Sequence, residues 1–263
     1  MPLLITTRKR PTAGEEREAI AAAARWGFPF VPRAGRTLVK VLEGAAADSA
    51  LVLAADSARL FMEGVERPWS AGMGMVRMKR VLENLRKGNE GATERDSFVE
   101  AAGLLPGDSV LDCTVGLGAD ALTAAAAIGP AGRVVGLESS PVLAAWTAEG
   151  LQRLADEPAR RVQVVHVDQA EFLRAAPERS YDVVVFDPMF RHARAEPGGF
   201  DVVRKFADAR PLSVETLARA RKVARRSVIV KDGAPGWDLA RLGLTPLSSA
   251  RFAHRYFARV PAN

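Results

Sequence analysis

The sequence predicts an α/β fold: a doubly wound, mostly parallel sheet with helices on both faces, behind a smaller N-terminal α/β region. Three observations carry that prediction. From Asp108 onward, apolar runs of strand length alternate with segments of helical pattern. Residues 183–186 (Val-Val-Val-Phe) and 228–230 (Val-Ile-Val) are apolar throughout, as strands covered on both faces require. A turn bearing Gly116 and Gly118 joins the first run to an alanine-rich helix, the kind of junction where open α/β sheets hold a ligand.

Taken in order, residues 15–26 predict a helix, and residues 50–61 predict two short strands around a polar turn at Asp56-Ser57. Residues 68–75 (Pro-Trp-Ser-Ala-Gly-Met-Gly-Met) read as a glycine-broken loop, and 87–91 as the connection into the second region. Strands are then expected near 109–113, 133–138, 162–166, 182–187 and 227–231. Helices are expected near 119–128, 141–154, 169–175 and 211–223, the second of them opened by Ser140 as N-cap and Pro141 in the first turn. Residues 244–249 and 251–260 predict an antiparallel pair, because Phe252, His254, Tyr256 and Ala258 alternate with Ala253, Arg255, Phe257 and Arg259. The chain divides into 1–95, the smaller region, and 96–263, with five parallel strands closed by that pair.

With 263 residues the chain can bury a large core. Its one cysteine, Cys113, excludes an intrachain disulfide, and no Cys/His cluster has metal-ligand spacing, so no metal is expected. The first residues lack the apolar stretch of a signal peptide, and no run reaches the ~20 apolar residues of a membrane span. A reducing, cytoplasmic setting is the expectation. A net charge of +6 favours an anionic partner, although an Ala- and Arg-heavy composition also follows from a GC-rich genome. Clustering is better evidence than the total. Arg77, Lys79, Arg80, Arg86 and Lys87 stand close together with only Glu83 among them, which makes 1–95 the candidate RNA-binding region. Arg191, His192 and Arg194 form a second basic group.

The most informative stretch is Val110-Leu-Asp-Cys-Thr-Val-Gly-Leu-Gly-Ala-Asp120. Gly116, Gly118 and Ala121 fit the relaxed dinucleotide pattern G-x-G-x-x-A, which alone is weak. Asp112 and three further residues come between strand and glycine, and a carboxylate there suits the methionine ammonium of S-adenosylmethionine better than a pyrophosphate. Asp120 would also repel a phosphate, though an acid at a helix start is ordinary dipole chemistry. Ala119 opens the same helix. Glu138 ends the second strand about 20 residues beyond the turn, where a ribose-binding carboxylate is expected, with Ser139 beside it. Asp168 can accept from the adenine amino group, with Gln169 assisting, or can cap the helix that follows. Both readings can hold at once.

A second sharp feature is Tyr181-Asp-Val-Val-Val-Phe-Asp187-Pro188-Met189-Phe190, an apolar strand that runs into Asp-Pro. It is close to the Asp/Asn-Pro-Pro-Tyr/Phe motif of enzymes that methylate exocyclic or amide nitrogens. Such a nitrogen is a poor nucleophile because its lone pair is delocalised. Asp187 and the Pro188 carbonyl can accept its hydrogens and aim it, and Phe190 can stack on an extruded base. Without the cofactor signature, Asp-Pro would simply close a strand. His192 is a candidate base or phosphate contact, and Lys231, ending the fifth strand, can meet RNA phosphate or pair with Asp232. Hydrolase chemistry has no G-x-S-x-G to support it.

Together, Asp112-x-Thr114-x-Gly116-Leu117-Gly118-x-Asp120, Leu137-Glu138-x-x-Pro141, Asp187-Pro188-Met189-Phe190-x-His192 and Val228-x-Val230-Lys231 resemble the J-type guanine-N2 methyltransferases of bacterial small-subunit ribosomal RNA. The likeness runs from Met73 to Lys231. It implies a Rossmann-like class I fold with a seven-stranded sheet, and S-adenosylmethionine as cofactor. It also implies cofactor contacts at Ala119, Asp120, Glu138, Ser139, Asp168, Gln169 and Asp187. The acceptor it implies is small-subunit ribosomal RNA, naked or in an assembling subunit. The chain differs from the family's usual residues at Ala119, Arg191 and Asp168-Gln169, as a sister branch would. Other acceptors (a DNA base, a protein amide, a small amine) and a non-catalytic RNA-binding assembly factor are the competing expectations.

Overall fold

In the computed structural model, residues 2–88, 95–188, 200–247 and 255–263 are described, leaving aside the side chains of Phe200, Arg255 and Tyr256. The chain builds two sheets. The first comprises β1 (Leu3–Thr7), β2 (Ser49–Ala54), β3 (Ser57–Met62) and β4 (Val65–Pro68), in that spatial order. β1 runs parallel to β2, and the others are antiparallel. The β1–β2 crossover carries α1 (Ala13–Trp26) and α2 (Leu38–Ala45). Thr12 and Glu15 form a reciprocal capping box at the start of α1, which satisfies two otherwise orphaned N–H groups.

Two helices, α3 (Met73–Lys87) and α4 (Ser97–Ala102), precede the second sheet. That sheet takes β5 (Ser109–Asp112), α5 (Ala119–Ile128), β6 (Arg133–Glu138), α6 (Pro141–Gln152), β7 (Val162–His166), α7 (Gln169–Ala175) and β8 (Tyr181–Phe186). It continues through α8 (Phe200–Phe206), α9 (Val214–Val223), β9 (Ala224–Gly233), α10 (Trp237–Arg241) and β10 (Arg255–Pro261). The strand order is β10-β9-β8-β5-β6-β7, parallel except for β10 against β9. The chain steps outward from β5 to β7, then returns to the other side of β5 with β8. The crevice between the carboxyl ends of β5 and β8 is therefore the topological switch point, where such sheets bind ligands.

The predicted strands and helices of this sheet appear within a few residues of their expected bounds. Among the described residues this sheet has six strands, where seven are expected. Of the expected 244–249 strand, residues 244–247 are irregular, although the Leu247 N–H donates to the Phe257 carbonyl at 2.7 Å. Residues 248–254 are outside the described residues. In the first region, the sequence reading finds α1, β2 and β3 but misses β1, α2 and β4. Of the expected loop over 68–75, residues 73–75 already belong to the helix α3, which carries the basic stretch.

Packing joins the two sheets through α6. Val142, Leu143 and Trp146 share a core with Leu3, Ile5, Leu51, Leu53 and Leu60 of the first sheet, and the Trp146 indole donates to the Ala58 carbonyl at 3.2 Å. Buried Glu149 receives Arg25 (2.8 Å), the Trp26 indole (2.9 Å) and Arg153 (2.8 Å), so no charge there is left unpaired. Helix α3 lies across the start of α5 at very close range: a Cβ on Gly74 would come within 2.5 Å of the Ala119 Cα. Gly74 is thus a packing residue.

Gly74→Val is expected to push α3 off α5 and lower stability by about 1–3 kcal/mol, seen as a lower denaturant midpoint at unchanged slope.

Candidate active site

The cleft at the switch point is about 290 Å³ in volume and is floored by the β5–α5 turn. The backbone shape of that turn requires glycine, because Gly116 and Gly118 sit at φ 50° and 82°. The turn is pinned from three sides. Thr147 donates its hydroxyl to the Gly116 carbonyl (2.6 Å), the Val115 N–H donates to Leu137 (3.0 Å), and the Gly118 N–H donates to Val115 (2.7 Å). Asp112, at the tip of β5, is buried, and its carboxylate accepts the Thr114 N–H at 3.0 Å. Burial, and next the charge of Asp120, push its carboxyl up to about 7. Glu138, at the tip of β6, accepts the Ser140 N–H at 2.9 Å, and burial raises its carboxyl as well.

A chain of ion pairs underlies the other half of the cleft. The Lys231 ammonium, 1% exposed, touches Asp120 at 2.5 Å and also Asp187. Asp120 in turn meets Arg77 of α3 at 2.6 Å, and Arg77 makes a two-bond fork onto Asp96 at 2.8 and 3.0 Å. Both cations lie over the Phe98 ring, 5.6 Å (Arg77) and 5.9 Å (Lys231) from its centre. Burial alone would raise the Asp120 carboxyl; the attraction of Lys231, then of Arg77, outweighs it and holds the group well below the usual range. Asp187 is fixed at its backbone too, its N–H donating to the Thr114 hydroxyl at 2.7 Å.

Of the residues expected at the site, Asp112, Gly116, Ala119, Asp120, Glu138, Ser139, Gln169, Asp187 and Pro188 line the cleft. Gly118 does not; it shapes the turn from behind, with Thr147 and Leu151 as its neighbours. Asp168 does not line it either. It caps α7, accepting from Ala170 (2.8 Å) and Glu171 (3.1 Å), and pairs with Arg210 at 2.5 Å. Arg77 and Lys231 line the cleft, but their charge is committed to carboxylates, which corrects their expected use as phosphate contacts. Nor does Lys231 pair with Asp232, whose carboxylate instead accepts the Gly233, Asp238 and Leu239 N–H groups. Lys79 and Arg80 are exposed on α3 outside the cleft. Phe190, Arg191 and His192, with Met189 and Arg194, lie outside the described residues. The sequence reading passed over Met73, Asp208 and Arg210 on the cleft walls and the hydroxyl of Thr114.

The matching family model, described as "Putative SAM-dependent methyltransferase", covers residues 39–242. The chain belongs to this family. It is similar to the uncharacterized protein YpiP of Bacillus subtilis, 32% identical over 87% of this chain and 88% of that one. It is also similar to the ribosomal RNA small subunit methyltransferase J of Laribacter hongkongensis, 40% identical over 46% of this chain and 45% of that one, so the match spans under half of that relative. Among solved structures, a SAM-dependent methyltransferase of Neisseria gonorrhoeae (NGO1261) superposes with a TM-score of 0.60 at 21% identity, over 98% of this chain and 95% of that one, a likeness of fold.

The cofactor of this methyltransferase is S-adenosylmethionine, and the cleft suits it. Asp112, Asp120 and Asp187 line the cleft with Arg77 and Lys231, and Arg77 is shared with Asp96, so carboxylates outnumber the two cations they surround, which favours a cationic ligand. The Gln169 side-chain oxygen is buried on the cleft wall without a hydrogen-bond partner, an acceptor for a ligand amino group. Among the described residues no helix is long and apolar enough to cross a membrane, and no group of three His, Cys, Asp or Glu is placed to hold a metal.

Two outcomes follow. Lys231→Met removes the cation that Asp120 and Asp187 share, leaving Asp120 to Arg77, and is expected to cost about 3–5 kcal/mol in denaturant unfolding; adding Asp120→Asn should restore part of that. Because folding raises the Asp112 carboxyl, its stabilising contribution is full below the unfolded value near 4 and is lost as pH rises through about 7. Binding a cation there reverses the preference. S-adenosylmethionine is therefore expected to bind more weakly at pH 6 than at pH 8 and to release a proton at pH 6, by calorimetry in two buffers, and Asp112→Asn should remove that release.

Proposed function

We propose that this methyltransferase modifies an exocyclic amino nitrogen of a nucleobase, with guanine N2 of small-subunit ribosomal RNA as the leading acceptor, in the cytoplasm. The observation that carries the reading is Asp187-Pro188 at the tip of β8, facing the cleft beside the glycine turn. The sequence likeness to a J-type ribosomal RNA methyltransferase supports the choice of acceptor.

In this reading Asp112 receives the cofactor's ammonium, Glu138 its ribose hydroxyls and Gln169 its adenine, around a turn shaped by Gly116 and Gly118. Ala119 and Ser139 complete the walls, and Asp120 serves through Lys231. Asp168 acts through the backbone of α7 and through Arg210. Bound S-adenosylmethionine supplies an electrophilic methyl group and takes back the electron pair of the broken C–S bond. Asp187 accepts a hydrogen bond from the acceptor's NH2, concentrating charge on the nitrogen and aiming it. The Pro188 carbonyl, held by the ring's fixed backbone, offers a second acceptor. The contact with Lys231 fixes one end of the Asp187 carboxylate. The proton leaves nitrogen after transfer, when the nitrogen has become acidic, so no strong base is required. Rate comes mainly from alignment in a walled cleft. Phe190 remains the proposed stacking partner of the target base, and Arg191 and His192 proposed contacts to RNA.

We assign 96–263 as the methyltransferase domain and 1–95 as an N-terminal region that contacts RNA through the exposed Lys79 and Arg80 of α3. The same helix sends Arg77 inward.

Asp187→Ala is expected to lower methyl transfer about 10²–10³-fold while leaving S-adenosylmethionine affinity within a few-fold. The assay is labelled donor with separated RNA, DNA, protein and metabolite fractions, joined to mass-spectrometric mapping of ribosomal RNA from cells with and without the protein. Undiminished turnover would remove Asp187 from the mechanism. Label appearing only in a non-RNA fraction would replace the acceptor.

A further inference from the structure

Three of the four tryptophans have work inside the fold. Trp146 is buried against the first sheet, Trp26 donates to Glu149, and Trp69 lies over Gly150, where a Cβ would meet its ring at 2.0 Å. Trp237 differs. It is 68% exposed, the most exposed large apolar side chain among the described residues.

The backbone that presents it is held firmly. Trp237 opens α10, and the Asp232 carboxylate accepts the N–H groups of Gly233 (2.7 Å), Asp238 (2.8 Å) and Leu239 (3.1 Å) around it. Leu239 is fully buried, and Arg241 ties the helix end to the Leu212 carbonyl at 2.7 Å. An indole on such a mount gives up little backbone freedom when it binds something.

Its position is as informative as its exposure. β9 carries Lys231 into the cleft, and its register sets Val230 beside Phe186, the last residue of β8, so β9 runs on past the end of β8 to Gly233. Trp237 follows six residues after Lys231, at the same carboxyl edge of the sheet. The segment to which α10 is tied leads back to Asp208 and Arg210 on the cleft wall. Trp237 therefore stands on the β8–β9 side, where Asp187 faces an acceptor, and away from the β5–β6 side that holds the cofactor residues.

We propose that Trp237 is a stacking platform for a nucleobase next to the methylated one, so that the acceptor enters as single-stranded or locally opened RNA. This rests on the nucleobase reading given under Proposed function. Every base has a flat face and gains by covering an exposed indole, whatever its sequence. The net charge of +6 draws a polyanion to the protein as a whole. Trp237 touches no reacting atom, so it governs how tightly RNA is held rather than the rate of transfer.

The experiment uses the full chain, with small-subunit ribosomal RNA from cells lacking the protein as methyl acceptor and a short single-stranded RNA oligonucleotide as binding probe. Trp237→Ala should raise KM for RNA about 5- to 150-fold, the range of one lost stacking contact, with kcat, S-adenosylmethionine affinity and Tm unchanged. Trp237→Phe, which keeps a ring, should recover part of the loss. The oligonucleotide should quench tryptophan emission in the parent protein and far less in Trp237→Ala, and a duplex of the same sequence should quench less than the single strand. An unchanged KM and unchanged quenching in Trp237→Ala overturn the proposal. So does loss of self-association in that variant at unchanged KM, which assigns the indole to a contact between copies. Absence of methyl transfer to any RNA by the parent protein rejects the nucleobase reading itself, a result distinct from these.

Discussion

The Lys231 ammonium is almost wholly removed from water and touches two carboxylates, and much of the architecture around the cleft follows from the cost of keeping it there. An isolated buried cation would lose its proton or unfold the region. Asp120 and Asp187 prevent that, but two carboxylates around one ammonium carry an excess of negative charge. Arg77 supplies the second cation and Asp96 the third acid, which ends the chain of ion pairs. Each member comes from a different element: α3, the α4 N-cap, α5, the tip of β8 and β9. The placement of Asp187 in the cleft is thus a consequence of packing all five correctly.

That requirement explains why α3 is pressed so tightly onto α5. Arg77 reaches Asp120 only if α3 crosses directly over the start of α5, and the crossing is possible because position 74 has no side chain and position 119 has only a methyl. The opposite end of the same arrangement is anchored by α6, where Trp146 and Glu149 bind the first sheet to the second. The N-terminal region is in this sense part of the cleft's construction: remove α3 and the ion chain loses its outer cation.

The second sheet is legible in the sequence because its central strands are covered on both faces and are therefore written as unbroken apolar runs, with caps such as Ser140 and Asp168 marking where helices start. The first region is harder to read. β1 pairs with β2 across two intervening helices, so nothing local announces it. The apolar spacing of Met75, Met78, Val81 and Leu82 in α3 is obscured by its charges and by Gly74, whose reason for being glycine lies in α5. The same contrast divides the site. Asp112, Gly116, Glu138 and Asp187 belong to compact motifs, and all line the cleft. The partners of Asp187 are far apart in the chain: Thr114 and Lys231 fall within the motifs, but nothing local shows that Lys231, or Arg77 behind it, meets carboxylates until the fold brings them together.

Two opposed fields result, and together they can sort the ligands. The protein as a whole is cationic, while the cleft floor holds more buried acids than bases. A polyanion is attracted to the outside and repelled from the floor; a sulfonium with its ammonium is attracted inward. A nucleic acid approaching such a surface keeps its phosphates on the basic exterior, and what it can extend toward Asp187 is a neutral base edge. Screening by salt weakens the outer attraction far more than the inner one, because the acids of the floor are buried and the lysines and arginines of α3 outside the ion chain are not. Grip on the acceptor should therefore fall with ionic strength while hold on the cofactor changes little, a separation that follows from where the charges sit.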